Sequence, residues 1–167
     1  MLAGIFVGGR GTRMGGAAKG LLRGPGGEPL VVAIAAAARA AGLEPVLVGA
    51  REEYAALGLA TIADVADAGP LGGLVALLEA ASGERAVAIA CDMPHVTAAL
   101  LAKLASGPDA PVLAPRRDAR WEPLFARYDA SRVLDVARAR LARGELALQG
   151  LLDEVGAAPL ATTAEER

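Results

Sequence analysis

Glycines and positively charged side chains follow the first apolar run of the chain. Residues 2–7 are apolar or glycine, and they lead directly into Gly8-Gly9, with Arg13 and Lys19 in the same loop. Adjacent glycines let backbone N–H groups approach phosphate oxygens closely, and arginine and lysine add positive charge. These residues predict a phosphate-binding loop, and the alternative is a surface loop with solvated charges.

The same loop departs from two common phosphate-binding patterns. A dinucleotide fingerprint requires Gly-x-Gly-x-x-Gly, but counting from Gly9 and Gly11 places Met14 in the last position. A P-loop requires glycine before its lysine and serine or threonine after it, whereas alanine and glycine flank Lys19. The spacing therefore indicates phosphate binding without either motif.

A carboxylate follows the most apolar predicted strand. Residues 86–90 lack any polar side chain, and Cys91-Asp92-Met93-Pro94 comes next. A carboxylate at the end of a buried strand costs desolvation free energy unless it is paired or holds a cation. Mg²⁺ takes one or two protein carboxylates and completes its coordination with waters and substrate phosphates. Asp92 is therefore predicted as a magnesium ligand, and the alternative is a turn or helix cap.

The elements that position these residues follow from short apolar runs that alternate with helical patterns. The alternation predicts βαβ units in a three-layer α/β/α, Rossmann-like fold with a mostly parallel mixed sheet, formed by one domain over residues 1–167. Ligands of such sheets bind at the carboxyl ends of the strands. The predicted strands are 2–7, 45–48, 60–63, 86–90, 111–114 and 124–128, and the predicted helices are 29–41, 52–57, 69–81, 98–105, 129–143 and 146–155.

Composition excludes several classes of protein. Lys+Arg is 17 and Asp+Glu is 19, so the net charge of −2 lacks the basic excess of a dedicated nucleic-acid binder. One cysteine and one histidine exclude an intrachain disulfide and zinc sites built from several such ligands. No apolar stretch is long enough for a membrane span, and the N-terminus lacks a signal-peptide pattern. We therefore expect a cytoplasmic protein that binds neither nucleic acid nor membranes.

The motifs occur in the order of a known family. They resemble the molybdenum cofactor guanylyltransferases, the MobA-like branch of the nucleotidyltransferases that share the nucleotide-diphospho-sugar transferase fold. The family opens on Leu-Ala-Gly-Gly, and Phe6-Val7 replaces Leu-Ala here. The resemblance extends to about Tyr128, and it rests on Phe6-Val7-Gly8-Gly9, Arg13-Met14-Gly15, Lys19-Gly20-Leu21-Leu22, Gly69-Pro70-Leu71-x-Gly73 and Asp92-Met93-Pro94.

The resemblance implies a role for each matching position. Arg13, Lys19 and Asp92 would be catalytic, with Lys19 on the triphosphate and Asp92 as the metal ligand. Asp64 matches a family aspartate that contacts guanosine, and Asp67 is its rival because the intervening loop is shorter here. The implied nucleotide contacts are Phe6, Val7, Gly8, Gly9, Lys19, Asp64, Gly69, Pro70, Leu71 and Asp92.

The implied reaction transfers GMP from GTP to the terminal phosphate of molybdopterin or Mo-molybdopterin, with Mg²⁺ as cofactor. Transient contacts with other cofactor biosynthesis proteins and with apo-molybdoenzymes are implied as well. The chain lacks the family's Asn after the second strand, at Val48-Gly49-Ala50, and its Asn-x-Asn-Thr-Pro-Glu-Glu ending, so Asp92 would be the sole protein ligand. The alternatives are a molybdopterin cytidylyltransferase, a sugar-phosphate nucleotidylyltransferase and a non-catalytic nucleotide-binding domain.

Three further features each allow two interpretations. The segment 121–125 resembles the family's acceptor-side segment, or it is a strand start with a packed Trp121. The charged run 116–120 is a solvated face or attracts an anionic pterin phosphate, and His95 is a capping residue or touches substrate. Cys91 is expected to be a small buried residue, because no basic residue adjoins it.

Overall fold

The computed structural model describes residues 1–8, 19–49, 52–64 and 68–161 of the chain. Within these ranges the helices are α1 (Leu30–Ala40), α2 (Gly69–Ala80), α3 (Ala98–Ser106), α4 (Ala130–Ala142) and α5 (Leu148–Glu154). The strands are β1 (Leu2–Phe6), β2 (Glu44–Val48), β3 (Thr61–Ile62), β4 (Arg85–Ala90), β5 (Val112–Ala114), β6 (Arg116–Arg117), β7 (Arg120–Trp121), β8 (Phe125–Asp129) and β9 (Ala158–Pro159).

Seven strands form one sheet in the order β3-β2-β1-β4-β8-β5-β9. β8 runs antiparallel to both of its neighbours, and the other neighbouring pairs are parallel. The carboxyl ends of β1, β2, β3, β4 and β5 therefore lie at one edge of the sheet, next to the amino end of β8. The predicted mostly parallel mixed sheet is confirmed.

Helices cover both faces of this sheet. The apolar sides of α1 and α3 pack on one face, and those of α2, α4 and α5 pack on the other. Because both faces are covered, β4 is apolar throughout its interior, with Ala86 and Ala88 in one core and Val87 and Ile89 in the other. The predicted three-layer architecture is confirmed.

The predicted helices and long strands lie within a few residues of the observed ones, and the predicted helix 52–57 is a 3-10 helix over Glu52–Leu57. Three short strands have no sequence prediction. β6 and β7 pair only with each other as a hairpin, and β9 extends the sheet beside β5. No helix in the part of the chain that the structure describes is long and apolar enough to cross a membrane.

Candidate active site

Two glycines bring the ends of β1 and β2 into close contact. The backbone N–H groups of Val7 and Gly8 both donate to the carbonyl of Val48, at 3.0 and 3.3 Å. A Cβ on Gly49 would lie 2.8 Å from the backbone N of Gly8, and Gly49 has a φ of +96°, which disfavours other residues. Side chains are thus excluded where the predicted phosphate loop begins.

Asp64 faces this glycine turn from the end of β3. A Cβ built on Gly8 would lie only 2.9 Å from Oδ2 of Asp64, so the carboxylate lies directly over the bare Cα of Gly8. The predicted nucleoside contact therefore lies at the same edge as the start of the loop. Its rival Asp67 lies outside the described residues, as do Gly9 and Arg13.

Three of the predicted nucleotide contacts have buried side chains. Phe6 is 8% exposed, Val7 is 3% exposed and Leu71 is fully buried, so only their backbones can meet a ligand. Phe6 also packs against Gly73, where a Cβ would approach its ring to 3.0 Å. Gly69 and Pro70 begin α2 and are exposed, which leaves this end of the helix accessible.

Lys19 and Asp92 meet across the site. The Nζ of Lys19 lies 3.2 Å from Oδ2 of Asp92, and the two residues are 73 positions apart in the sequence. Their side chains are 45% and 43% exposed, so Asp92 is both paired and partly solvated, which reduces the desolvation cost of its charge. Asp92 follows the end of β4, where the chain has already left the apolar layer. Both charges can exchange this partner for a phosphate or a cation, because an exposed ion pair contributes only about 0–1 kcal/mol.

Tyr54 and Cys91 hold the backbone next to Lys19. Gly20 donates its backbone N–H to the hydroxyl oxygen of Tyr54 at 3.1 Å, and a Cβ on Gly20 would lie 3.2 Å from Cβ of Cys91. Tyr54 itself is 2% exposed. The sequence interpretation missed this contact, and its only signal is a tyrosine within a short, mostly polar and alanine-rich helix.

Cys91 is buried, as predicted, and it stays a thiol. Burial raises the pKa of the Cys91 thiol, and the neighbouring charge of Asp92 raises it further. Both effects disfavour the thiolate, which is the nucleophilic form. Cys91 therefore packs against Gly20 rather than reacting.

A cleft of about 550 Å³ opens beside Asp92. It lies between the loop that precedes α3, the β6–β7 hairpin and the residues that follow β9. Its lining mixes charged and apolar side chains, including His95, which is exposed there. The lining residues include Asp92, His95, Arg116, Arg117, Glu122 and Phe125.

Trp121 anchors the hairpin that forms one wall of this cleft. Its indole N–H donates to Oδ1 of Asp153 at 2.8 Å, and the amide of Gln149 pairs with both its backbone N–H and its carbonyl, at 3.0 and 2.7 Å. The ring is 6% exposed and joins the core formed with α5. The interpretation of Trp121 as a packed strand residue is confirmed, and the acceptor-side role of the segment stays a prediction.

The donor set at this edge fits Mg²⁺ held mainly by substrate. The described residues contain no group of three or more His, Cys, Asp or Glu side chains that could hold a metal ion. Asp92 supplies one exposed carboxylate beside Lys19. One carboxylate is sufficient for a Mg²⁺ whose other ligands are phosphate oxygens and waters.

The fold is that of the nucleotidyltransferases. Solved structures of this class share the fold: the 2-C-methyl-D-erythritol 4-phosphate cytidylyltransferase of Thermus thermophilus is 17% identical, with a TM-score of 0.67 over 98% of this chain and 90% of that one. The molybdopterin-guanine dinucleotide biosynthesis protein A of Archaeoglobus fulgidus is 24% identical, with a TM-score of 0.75 over 96% of this chain and 84% of that one. At these identities the likeness shows the fold alone.

The particular family follows from the sequence comparisons. The model of the MobA-like NTP transferase domain matches residues 3–157, so the chain belongs to this family. The molybdenum cofactor guanylyltransferase of Pseudomonas putida (strain GB-1) is 38% identical over 155 residues, which cover 89% of this chain and 80% of that one. The enzyme of the same name from Pseudomonas entomophila (strain L48) is 37% identical over 163 residues, covering 93% and 83%. The resemblance given by the motif order is confirmed.

Proposed function

We propose that this protein transfers GMP from GTP to the terminal phosphate of molybdopterin and releases pyrophosphate. One observation carries the proposal: Lys19 lies 3.2 Å from Asp92, and Asp92 also lines the 550 Å³ cleft. Groups suited to nucleotide phosphates thus adjoin a space for an acceptor. The names of the relatives supply the identity of the two substrates.

The chemistry requires positioning and charge neutralisation rather than a general base. An oxygen of the acceptor phosphate forms a bond to the α-phosphorus of GTP. The bond from the α-phosphorus to the oxygen that bridges to the β-phosphate breaks, and pyrophosphate leaves with that electron pair. A phosphate monoester has a second pKa of about 6, so the attacking group is already largely dianionic at neutral pH. This agrees with the described part of the site, which pairs a lysine with a carboxylate.

Each side chain at the edge has a proposed role in this reaction. The glycine turn at Gly8 and the carboxylate of Asp64 hold the nucleoside end, and Lys19 binds the triphosphate and stabilises the charge on the leaving pyrophosphate. Arg13, in the same loop, assists Lys19. Asp92 holds Mg²⁺, which when bound neutralises phosphate charge and orients the phosphates.

Pyrophosphate release tests the proposal directly. The purified protein, given Mg²⁺ and molybdopterin, should release pyrophosphate with GTP and much less with CTP, ATP or UTP. GTP should also raise the thermal midpoint most, with a stabilisation of about 2.7 kcal/mol at 100 times its dissociation constant. Turnover with CTP in place of GTP would identify a cytidylyltransferase, and nucleotide binding without turnover would identify a non-catalytic domain.

The product is a dinucleotide cofactor, and a cofactor acts only once it is inside its enzyme. We therefore extend the proposal to brief contacts with the proteins that supply molybdopterin and with the apo-molybdoenzymes that take up the product. Co-purification of the protein with such partners, in the presence of GTP and molybdopterin, is the test. Product release into free solution at the rate of turnover would count against direct transfer.

A further inference from the structure

Among the residues that the structure describes, two arginines on the cleft wall have no carboxylate partner, whereas several other arginines do. Arg116 and Arg117 line the cleft and are exposed. Within the described ranges no carboxylate lies within ion-pair distance of either guanidinium, although Asp118 and Glu122 also line the cleft. By contrast, one carboxylate, that of Asp109, pairs with two arginines elsewhere at 2.6 Å each. The two cleft guanidiniums are therefore available to an anion.

The turn of the hairpin that carries these arginines has a strained backbone. Arg117 pairs with Arg120, which leaves Asp118 and Ala119 as a two-residue turn. Both turn residues have positive φ, +46° and +64°, as tight hairpin turns require, but neither is glycine or asparagine. A residue with a Cβ in this region costs roughly 1–2 kcal/mol. Ala119 bears this cost in full, whereas aspartate tolerates the left-handed region better, so contacts elsewhere help to hold the hairpin in this shape.

Trp121 supplies those contacts. Its three hydrogen bonds to Gln149 and Asp153 fix the second strand of the hairpin to α5. The guanidinium carbon of Arg116, its partner across the hairpin, lies 4.8 Å from the centroid of its ring, a cation–π contact. This contact holds the guanidinium of Arg116 against the indole, and the side chain of Arg116 remains exposed.

We propose that Arg116 and Arg117 bind the phosphate monoester of the acceptor, and that Trp121 is the positioning residue that orients Arg116 for it. The inference rests on the proposed function and specifies its acceptor side. A planar guanidinium donates two parallel N–H groups to phosphate oxygens, so a stacked arginine recognises a phosphate dianion with defined geometry. Asp92 lines the same cleft, so a phosphate bound on this wall shares one cavity with the metal-ligand side chain.

The protein contains a single tryptophan, and it is Trp121, so its fluorescence reports on this wall alone. Anaerobic titration of the whole protein with molybdopterin should change the Trp121 emission, because a phosphate that engages Arg116 alters its stack on the indole. GTP with Mg²⁺ should leave the emission nearly unchanged. The Arg116→Met variant should lose the response to molybdopterin.

Steady-state kinetics then separates acceptor binding from nucleotide binding. Arg116→Met and Arg117→Met should each raise the KM for molybdopterin about tenfold or more, the effect of losing hydrogen bonds to a charged group, and should leave the KM for GTP within about twofold. Trp121→Phe, which keeps a ring but loses the indole N–H, should raise the molybdopterin KM by a smaller factor. Arg120→Met is the matched control, because Arg120 lies on the same hairpin but does not line the cleft. That variant should behave as wild type.

The outcomes distinguish the inference from the function on which it rests. Unchanged molybdopterin KM values in Arg116→Met and Arg117→Met, with GMP transfer intact, would overturn the inference and leave the proposed function standing. Equal losses in Arg120→Met would overturn it too, because they would indicate a general effect of hairpin charge. Failure of the wild-type protein to transfer GMP to molybdopterin would contradict the proposed function itself.

Discussion

Tyr54 and Gly20 are joined by a buried hydrogen bond in which the backbone N–H of Gly20 donates to the tyrosine hydroxyl at 3.1 Å. Gly20 follows Lys19 directly, so this bond fixes the backbone from which the lysine reaches Asp92. We predict that Tyr54→Phe weakens GTP binding about fivefold, because one hydrogen bond contributes about 1 kcal/mol. Calorimetric titration with GTP measures the change.

A double-mutant cycle separates this effect from general destabilisation. If Tyr54 acts through Lys19, adding Tyr54→Phe to Lys19→Ala should cost no further GTP affinity. Tyr128→Phe is the matched control, because Tyr128 is also buried and its hydroxyl donates one hydrogen bond to a backbone carbonyl, that of Pro123 at 2.7 Å. It should lower the free energy of unfolding to a similar extent and leave GTP affinity unchanged. Additive losses in the cycle would contradict the link.

Asp92→Asn should reduce GMP transfer by orders of magnitude while leaving the protein folded. The amide keeps the size of the side chain but removes the negative charge that favours Mg²⁺. Stability should change by less than about 1 kcal/mol, because the pair with Lys19 is exposed. Turnover and thermal midpoint are measured on one preparation across a range of Mg²⁺ concentrations. Near-normal turnover would contradict the role of Asp92 as a metal ligand.

Arg127→Met should lower the free energy of unfolding by about 3 kcal/mol. Arg127 lies in β8 and is fully buried, and its guanidinium donates to the carbonyls of Leu104, Ala105, Gly107 and Pro108 at the end of α3. Methionine fills much of the space but leaves these helix-end carbonyls without a donor. Urea unfolding measures the loss, and Arg120→Met, an exposed arginine, should change it little. Equal stability of both variants would contradict a capping role.

Alkaline pH should destabilise the wild type more than a Cys91→Ala variant. Burial raises the pKa of the folded-state thiol, so the unfolded chain gives up its proton first as the pH rises. The stability due to the neutral thiol is complete below the unfolded pKa and declines above about pH 9. Above that pH, the free energy of unfolding should therefore fall more for the wild type than for Cys91→Ala. Parallel pH profiles would contradict the burial effect.

The part of the site that could be predicted from the sequence is the pair Lys19 and Asp92, which parallel-strand topology brings together. Lys19 and Asp92 follow different strands, yet the rule that carboxyl ends of parallel strands share an edge places them side by side. The exposure of Asp92 was not predictable, because it depends on where the chain leaves the apolar layer rather than on the strand before it. The contact of Tyr54 was not predictable either, because no local sequence pattern indicates its hydrogen bond to Gly20, 34 residues away.

The β6–β7 hairpin was not predicted from the sequence, for a different reason. Its strands have two residues each and are mostly charged, so no alternation of apolar and polar residues indicates a strand. Its turn has Asp118-Ala119 where asparagine and glycine are the usual signal. The element is specified by contacts from α5, which sequence patterns do not show.

β8, which runs antiparallel to both of its neighbours, divides the sheet into two halves with different proposed roles. On one side of β8, the parallel strands β1 to β4 present the turn, the carboxylates and the lysine proposed to handle the nucleotide. On the other side, β5 and β9 lead into the cleft wall that is proposed to bind the acceptor. The two halves adjoin along β8 and share one cleft, because Asp92 lines it together with Arg116 and Arg117. A change of acceptor should therefore be sought by exchanging Arg116 and Arg117 while keeping Trp121, whose hydrogen bonds to Gln149 and Asp153 hold the hairpin on α5.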